Sequence, residues 1–392
     1  MTDRLARLGP AAGLRVAHVV EGGPPMRLPI LRAAAMLSPG LGGFVVVTVR
    51  DDYELTSLLG QRDIAHYSLS ARTARDYPGA VTRLARLIGR DSIDVVHGVE
   101  PIAGVIANAA SIVARRAGRL YDRQHSKATR PGRLMSLLAA QTAHLIRVPS
   151  QAALEWAIAE DHIAADRVRV IFNPAMEPRP VPADELVQLR ASLDIGPADH
   201  VVCSVARLRG EKRLDVGIEA RRELESQLSQ PIHYIIVGDG ADRARLEAKA
   251  QGDRHVHFVG HQDDIWPWYA TADVAWMPSS NESFGIAAAE AMAIGTPVVA
   301  SQVGGLVEIL EGERGGRLVP PGSPRALAGA TRQLIESPEL LERASRDARD
   351  RYEDAFTPAR VTLATQAAYA DLGRSAYAHA GPHGPRPQRA AR

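Results

Sequence analysis

The sequence is short of several features, and each shortage excludes a class of protein. Its 392 residues include one cysteine, Cys203, so the chain cannot form an internal disulfide. Cys203 lies in the apolar run VVCSV, which favours a small buried strand residue over a catalytic thiol. No apolar run approaches the ~20 residues that cross a bilayer, and the first residues lack the apolar stretch of a signal peptide. We therefore expect a cytoplasmic protein.

Net charge is also small. The formal charge of +2 is too low to favour a nucleic-acid partner. With 45% hydrophobic and 23% charged residues, the composition is that of an ordinary globular protein. The length predicts two domains or one large one. The last residues, from 376 to 392, are rich in Pro, Gly and Arg and predict a disordered tail.

Strand-like and helix-like segments alternate along the chain. Strand candidates of the N-terminal half are LRVAHVVE, GFVVVTVR, IAHYSLS, SIDVVHGV, RLYDRQH, HLIRVPS and RVRVIFNP. Those of the C-terminal half are HVVCSVARL, PIHYIIVGDG, HVHFVG, ADVAWMP, TPVVAS and GGRLVPP. β-Branched runs that alternate with amphipathic helices indicate parallel sheets covered on both faces. We therefore predict two doubly wound, Rossmann-like α/β domains that meet near the proline-rich NPAMEPRPVPADE.

The segment NESFGIAAAEAMAIGTPVVAS, residues 281–301, follows a predicted strand and opens a helix of small residues. Ser283 or Asn281 is the predicted N-cap. The backbone amides of Phe284, Gly285 and Ile286, together with the helix dipole, then form an anion site suited to phosphate.

Glu282 and Glu290 bracket this predicted phosphate site. Glu290 lies roughly 9–10 Å along the helix from the amides, where a carboxylate can accept both ribose hydroxyls. Glu282 can hold the hydroxyls of another ring, so the pattern matches a nucleotide-sugar. The alternative is a dipole-complementing acid and a solvated charge, but the alanines around Glu290 argue against free solvation.

Two cations belong to the segment VARLRGEKRLD. Arg207 ends a predicted strand and Lys212 follows in the loop before the next helix. Fixed cations there would stabilise a departing nucleoside diphosphate without a metal. The alternative is ordinary surface charge, but the position at a strand's carboxyl end favours the functional interpretation.

The segments SVARLRGEKRLD, IIVGDG, VHFVGH and NESFGIAAAEAMAIGTPVVASQVGGLVEIL resemble the donor-binding domain of glycosyltransferase family 4, whose members are retaining enzymes of the GT-B fold. This resemblance covers about residues 200–325. The N-terminal half resembles the family in its strand–helix rhythm, in DVVH and in VIFNP. The resemblance implies two Rossmann-like domains that face each other across a cleft.

The resemblance also implies residue roles. Glu282 would bind donor-sugar hydroxyls, Glu290 the ribose, and Arg207 with Lys212 the diphosphate; these cations, Glu282 and His125 are the predicted catalytic residues. His125, after the strand RLYDRQH, would face the donor sugar and acceptor. Further donor-binding positions are implied at Ser283, Phe284, Gly285, Ile286, Gly238, His261, Gly22 and Gly23.

Gly22 and Gly23 match the glycine pair that opens the family's first helix. Pro24 and Pro25 depart from the family pattern there, and because proline donates no amide, only part of the loop can hold an anion.

The implied domain layout has five parts. The N-terminal acceptor-binding domain spans 1–175, the linker 176–197 and the nucleotide-sugar-binding domain 198–355. A last helix, 356–375, with Val361, Leu363 and Ala368 at helical spacing, would cross back to the first domain before the tail.

The implied reaction is transfer of a sugar, of hexosyltransferase type, from a nucleoside diphosphate to an acceptor hydroxyl. Attack on the same face retains the anomeric configuration, and the departing phosphate helps to deprotonate the acceptor. No His/Cys cluster has zinc spacing and no Asp-x-Asp run lies near the predicted cleft, so we expect no cofactor and no metal. Two alternatives stay open: a nucleotide-sugar epimerase on the same fold, and a non-catalytic nucleotide-sugar-binding protein.

The partners beyond the donor are less defined by the sequence. Base, sugar and acceptor are not specified by any motif. Bases are dense from Arg115 to Arg133, which leaves three interpretations: weak peripheral contact with an anionic membrane surface, a pocket for an anionic acceptor, or solvated charge.

Overall fold

The computed structural model describes residues 11–124 and 130–379, which divide into two α/β units. The first unit holds Met1–Pro149, Leu154–Ile171 and Val361–Arg392; the second holds Ser150–Ala153 and Phe172–Arg360. The segment 176–197, expected as a linker, belongs to the second unit and contains a helix. The predicted tail lies outside the described residues from 380 onward.

The first unit is built on a seven-stranded parallel sheet. Its strands are β1 (Arg15–Val20), β2 (Gly43–Thr48), β3 (Ala65–Ser68), β4 (Val95–Val99), β5 (Gly118–Asp122), β6 (Leu145–Val148) and β7 (Val168–Val170). They pair in the order β3-β2-β1-β4-β5-β6-β7. The order reverses direction between β1 and β4, where Val16 pairs with Val95. This topological switch point is where open α/β sheets bind ligands, outside the carboxyl ends of the strands.

Helices cover both faces of this sheet. They are α1 (Arg27–Leu37), α2 (Tyr53–Gly60), α3 (Tyr77–Arg90), α4 (Pro101–Ala114), α5 (Arg130–Thr142) and α6 (Gln151–Asp161). Alternate residues of β1 enter different cores, because successive strand side chains point to opposite faces. Ala17 and Val19 pack with Leu84 of α3, whereas Val16 packs with residues of the last helix.

The second unit is built on a six-stranded parallel sheet. Its strands are β8 (His200–Val205), β9 (Ile232–Val237), β10 (Val256–Gly260), β11 (Val274–Met277), β12 (Val298–Ser301) and β13 (Gly316–Val319). They pair in the order β10-β9-β8-β11-β12-β13, so the switch point lies between β8 and β11. Cys203 of β8 is fully buried and unpaired, which confirms it as a core residue, and burial raises its pKa.

Eight helices flank this second sheet within the described residues. They are α7 (Ala183–Ser192), α8 (Leu214–Glu225), α9 (Arg243–Ala250), α10 (Trp266–Thr271), α11 (Ile286–Ala293), α12 (Gly305–Ile309), α13 (Pro324–Ile335) and α14 (Pro338–Ala355). Val202 packs with Leu224 on one face of the sheet, and Ala275 packs with Met292 on the other. The two doubly wound parallel sheets predicted from the sequence are confirmed, and every strand candidate contains a strand.

The last helix, α15 (Pro358–His379), packs on the first sheet from Val361 onward. Val361, Ala368 and Tyr369 are buried in one cluster with Val16 and other first-unit residues. Leu363 belongs to the same helix but is 53% exposed. Leu363 lies two residues after Val361 and therefore points about 200° around the helix from it.

Candidate functional site

An ion pair joins the two loops at the switch point of the second unit. Lys212, which ends a short 3-10 turn after β8, places its Nζ 2.6 Å from Oε2 of Glu282, in the loop after β11. The backbone N–H of Ser280 donates to the carbonyl of Glu211 at 2.8 Å and fixes the same two loops. The Lys212 and Glu282 side chains remain 25% and 18% exposed, so a ligand can reach both. The sequence predicted both residues as site residues, and the fold brings them into contact.

Arg207 and Gly238 lie in neighbouring loops at the same edge of this sheet. The Arg207 side chain is exposed just beyond the end of β8. Gly238 follows β9 with a φ of +129°, and a Cβ there would lie 1.9 Å from the carbonyl oxygen of Ala206. Only glycine fits this contact, which brings the turn after β9 against the residues that precede Arg207.

Helix α11 begins without a side-chain cap. Its N-cap residue is Gly285, with φ +107° and no capping side-chain hydrogen bond. The predicted cap from Ser283 or Asn281 was therefore wrong, because a left-handed glycine, not a polar side chain, turns the chain into the helix. The first-turn amides, including that of Ile286, carry the positive end of the helix dipole.

Two of the predicted donor-binding residues serve the structure of this loop. Phe284 is 2% exposed, and its ring stacks 5.7 Å from that of Phe172, so its side chain belongs to the core. The carbonyl of Ser283 accepts a 2.6 Å hydrogen bond from the hydroxyl of Ser150 in the same unit. Ile286 is 44% exposed, so its backbone lies at the surface of the site.

Glu290 is half-buried on α11, four residues after the first helical residue. It therefore lies about 6 Å along the axis from the amide of Ile286, less than the predicted 9–10 Å. The difference arises because Phe284 and Gly285 precede the helix. Burial, and then the charge of Glu290, raise the pKa of the neighbouring Tyr269. Tyr269 donates its hydroxyl to the carbonyl of Ala287 at 2.8 Å, which holds this phenol against the helix.

His261 follows β10 at the same edge of the second sheet. Its side chain is 77% exposed, and its nearest charged partner is Asp263 at 3.5 Å. The carbonyl of the preceding Gly260 accepts the N–H of Gly238 at 2.7 Å, which brings the turns after β9 and β10 together.

In the first unit, Gly22 and Gly23 form the loop after β1, both with positive φ. This loop is already occupied by a carboxylate. Asp52 accepts a 3.0 Å hydrogen bond from Nε of Arg27. It also caps α2 by accepting a 3.0 Å hydrogen bond from the N–H of Leu55. Burial raises the pKa of Asp52, but hydrogen bonds from Arg27, Leu55 and the backbone of Gly23 lower it overall.

His125 lies outside the described residues, as does Lys127. Among the described residues, His97 of β4 is buried, and its Nδ1 lies 2.8 Å from the hydroxyl of Tyr369 on α15. His97 therefore has a structural contact with the last helix.

The sequence interpretation missed two acids at the switch point of the first unit. Glu21 immediately follows β1 and Glu100 immediately follows β4, the two strands that flank the switch. Burial first, and then the charge of Glu100, raise the pKa of Glu21, while Arg50 and the backbone N–H of Ile102 oppose the shift. An acid directly after a predicted strand, as in AHVVE and HGVE, was the available signal.

The basic stretch contains several arginines that already have partners in the first unit. Arg123 is buried and pairs with Asp161 at 2.8 Å. Arg116 lies 3.6 Å from Asp94, and Arg119 donates to the carbonyl of Thr142 at 2.7 Å. These guanidinium groups stabilise the fold of the first unit itself.

Within residues 11–124 and 130–379, no three His, Cys, Asp or Glu side chains are arranged to hold a metal ion. None of the helices in this part of the chain combines the length and apolarity that crossing a membrane requires.

Comparison with protein families gives a match over residues 188–351 to glycosyl transferases group 1. A D-inositol 3-phosphate glycosyltransferase of Jonesia denitrificans is 33% identical over 180 residues, 43% of this chain and 42% of the relative. A GDP-mannose-dependent α-(1-6)-phosphatidylinositol dimannoside mannosyltransferase of Mycobacterium tuberculosis is 37% identical over 150 residues, 38% of each chain. The aligned part thus spans less than half the length of either relative.

Among solved structures, the Anabaena protein HepE in complex with UDP superposes with a TM-score of 0.78. The superposition covers 92% of this chain and 100% of HepE at 22% identity. A likeness at this identity concerns the fold, and the fold shared is GT-B.

Proposed function

We propose that this chain, which carries a glycosyl transferases group 1 domain on a GT-B fold, transfers a sugar from a nucleoside-diphosphate sugar to an acceptor hydroxyl with retention of the anomeric configuration. The observation that carries the proposal is the contact between Lys212 and Glu282 at the switch point of the second unit. A cation and a carboxylate in contact, both accessible, offer one group to a phosphate and the other to sugar hydroxyls.

The donor would lie along the carboxyl edge of the second sheet. Lys212 and Arg207 would bind the diphosphate, and the uncapped N-terminus of α11 would add backbone amides. Glu282 would accept hydrogen bonds from the sugar and Glu290 from the ribose. This assignment is supported by the donors that similar proteins are named for: UDP-glucose in a HepE complex and GDP-mannose for the mycobacterial relative.

In the proposed reaction, the bond between the anomeric carbon and the β-phosphate oxygen breaks as the acceptor oxygen bonds to the same face. The acceptor hydroxyl proton passes to the departing phosphate. The transition state carries oxocarbenium character on the sugar and growing negative charge on the diphosphate. Lys212, held in place by Glu282, would stabilise that charge together with Arg207.

We also propose that the reaction needs no metal, since two cations, Lys212 and Arg207, would fill the role of a divalent ion at the diphosphate. Transfer measured with purified protein should be unchanged after incubation with EDTA and dialysis. Loss of transfer on chelation, restored by Mg²⁺ or Mn²⁺, would disprove this part.

The whole proposal is tested by ligand binding followed by product analysis. UDP-glucose and GDP-mannose, with UDP and GDP as references, should raise the melting temperature by mass action if the donor site exists. The stabilising donor is then offered to a panel of hydroxyl acceptors, and the anomeric proton coupling of the product is read by NMR. An α-linked product from an α-donor is expected. An inverted product would reject retention, and absence of any nucleotide binding would reject the donor site.

A further inference from the structure

The first unit contains an apolar cavity of about 320 Å³. Tyr77, Pro78 and Val81 of α3 form one wall, Ile102 and Val105 of α4 a second, and Met135 of α5 a third. Most of these residues occupy the first two turns of helices that follow β3 and β4. The cavity therefore lies at the carboxyl edge of the sheet, the edge at which α/β folds bind ligands.

The size and lining of this cavity suit an apolar group of moderate size. Ligand sites commonly begin near 300 Å³, and a dry apolar cavity of about 150 Å³ already accepts benzene. The cavity of the first unit has about twice that volume. A short alkyl chain or a two-ring aromatic group would fill it and exclude water.

A carboxylate adjoins the cavity through Ile102. Ile102, in the first turn of the helix after β4, lines the cavity, and its backbone N–H is near enough to Glu21 to oppose the rise in the pKa of that carboxyl. Glu21 is half-buried at the switch point between β1 and β4. Glu100, from the other side of the switch, is the nearby acid, and the exposed Arg50 is the nearby cation. An apolar cavity thus opens beside a polar group that accepts hydrogen bonds.

We infer that the first unit binds an uncharged amphiphilic alcohol as the sugar acceptor, with its apolar group in the cavity and its hydroxyl groups at Glu21. The role of this alcohol as the acceptor rests on the proposed function. The binding site itself is defined by residues of the first unit alone. The inference names a substrate class different from the inositol phosphate and phosphatidylinositol compounds in the names of the similar proteins.

The surroundings of Glu21 disfavour an anionic acceptor. A phosphate placed there would meet the charges of Glu21 and Glu100. In the adjacent loop, the backbone of Gly23 is directed at Asp52, which also accepts hydrogen bonds from Arg27 and Leu55. The two prolines after Gly23 provide no backbone donor. An uncharged hydroxyl, in contrast, donates a hydrogen bond to a carboxylate without repulsion.

The test measures binding of methyl, butyl, hexyl and octyl β-D-glucoside to the full chain by titration calorimetry, below their micelle concentrations. Each methylene that enters the cavity should tighten binding about fourfold. Octyl phosphate is the anionic counterpart of equal chain length and should bind at least tenfold more weakly than octyl glucoside. An affinity that does not depend on chain length, or tighter binding of octyl phosphate, overturns the inference.

Three variants locate the binding. Val105→Trp fills the cavity and should abolish the chain-length dependence, while methyl glucoside binds as before. Met135→Ala enlarges the cavity and should shift the binding preference toward glucosides with longer alkyl chains. This second variant keeps the inference testable if Val105→Trp does not fold. Glu21→Gln removes the negative charge and should reduce the difference in affinity between octyl glucoside and octyl phosphate. Val187→Trp, at a side chain of the second unit that is 67% exposed, is the matched control and should change nothing.

Two further measurements separate this inference from its alternatives. Sedimentation of wild type and Val105→Trp reports whether the cavity is an interface between copies; a change of association state without glucoside binding overturns the inference. Binding of UDP and GDP to the same samples reports on the second unit. Glucoside binding without nucleotide binding would reject the proposed function and keep the apolar site, and the reverse would reject the apolar site alone.

Discussion

Lys212 and Glu282 form a 2.6 Å ion pair across the switch point between β8 and β11. Their residues are 70 positions apart in sequence, and the parallel sheet brings them together because β8 and β11 are adjacent strands. The pair is reachable from solvent, so its free energy contribution to folding is small. Its position favours a role in ligand binding over a role in stability.

Replacement of Lys212 by alanine should lower turnover about a hundredfold or more, because one fixed cation at a developing charge contributes ~2–4 kcal/mol to the barrier. The melting temperature should change little, since the side chain is partly exposed. Steady-state rates with the donor identified by thermal shift provide the measurement.

Lys249→Ala is the matched control for this substitution. Lys249 lies on α9 and also pairs with a glutamate of the second unit, Glu219 on α8. Lys249 itself is remote in sequence from the switch-point loops. Its removal should leave turnover unchanged. Equal rates for the wild type and Lys212→Ala would remove the catalytic role of that cation.

Substitutions of Glu282 and Glu290 should weaken the binding of different ligands. Glu290→Gln should weaken binding of the nucleoside diphosphate and of the complete donor equally, about tenfold, because it loses ribose contacts. Glu282→Gln should weaken only the complete donor, because the sugar is absent from the diphosphate. Titration calorimetry with UDP and UDP-glucose, or GDP and GDP-mannose, distinguishes the two. Identical behaviour of both variants would contradict the assigned orientation of the donor.

Gly285→Ala should destabilise the second unit by roughly 1–3 kcal/mol. The residue has φ +107°, and a Cβ would lie 2.7 Å from Cδ2 of Leu306. Gly329→Ala, within α13 and with open space around its Cβ position, should instead stabilise by about 0.4–1 kcal/mol. Urea unfolding of both variants gives the comparison, and a neutral Gly285→Ala would show that this turn tolerates a side chain.

Acid should destabilise the first unit through His18. Burial, and then the charge of His97, lower the pKa of His18 from 6.5 to about 3. The charge of Asp122 raises this pKa, and the charge of Arg147 lowers it further. The folded state thus holds His18 neutral, and its contribution is present above pH 6.5 and lost as the pH falls toward 3. The free energy of unfolding should fall by up to about 1.4 kcal/mol per pH unit in that window from this residue.

Urea unfolding at several pH values checks this prediction. His18→Phe should flatten the dependence on pH, since the ring already stacks 5.8 Å from Phe44 and the new side chain cannot be protonated. His261→Phe, at a side chain that is 77% exposed, should keep the wild-type slope. An unchanged slope in His18→Phe would show that other groups cause the acid sensitivity.

The sequence was sufficient to predict the strands and the choice of Lys212 and Glu282 as site residues, but not their direct contact. Buried parallel strands are continuous β-branched runs, and their carboxyl ends converge at one edge, so residues that follow strands can be placed without coordinates. The order in which the strands pair, however, cannot be read from the β-branched runs. The sequence marks Glu21 and Glu100 as acids that follow strands, but only the order of pairing shows that β1 and β4 are neighbours and that the two acids lie at one switch point.

The local errors have a common cause. The segment predicts a helix from Phe284, two residues early, whereas Phe284 packs in the core ahead of a left-handed Gly285. That shift also shortened the distance to Glu290. Backbone conformations with positive φ depend on tertiary contacts, here with Leu306, which a local pattern does not contain.

The hydrogen bond between His97 and Tyr369 has a consequence for biosynthesis. Its partners are 272 residues apart, and one wall of the first unit's core comes from Val361, Ala368 and Leu372. A ribosome must therefore translate through the whole second unit and as far as Leu372 before this unit can close its interior. The earlier-made part waits, with apolar surface uncovered, while the second unit is synthesised and free to fold ahead of it.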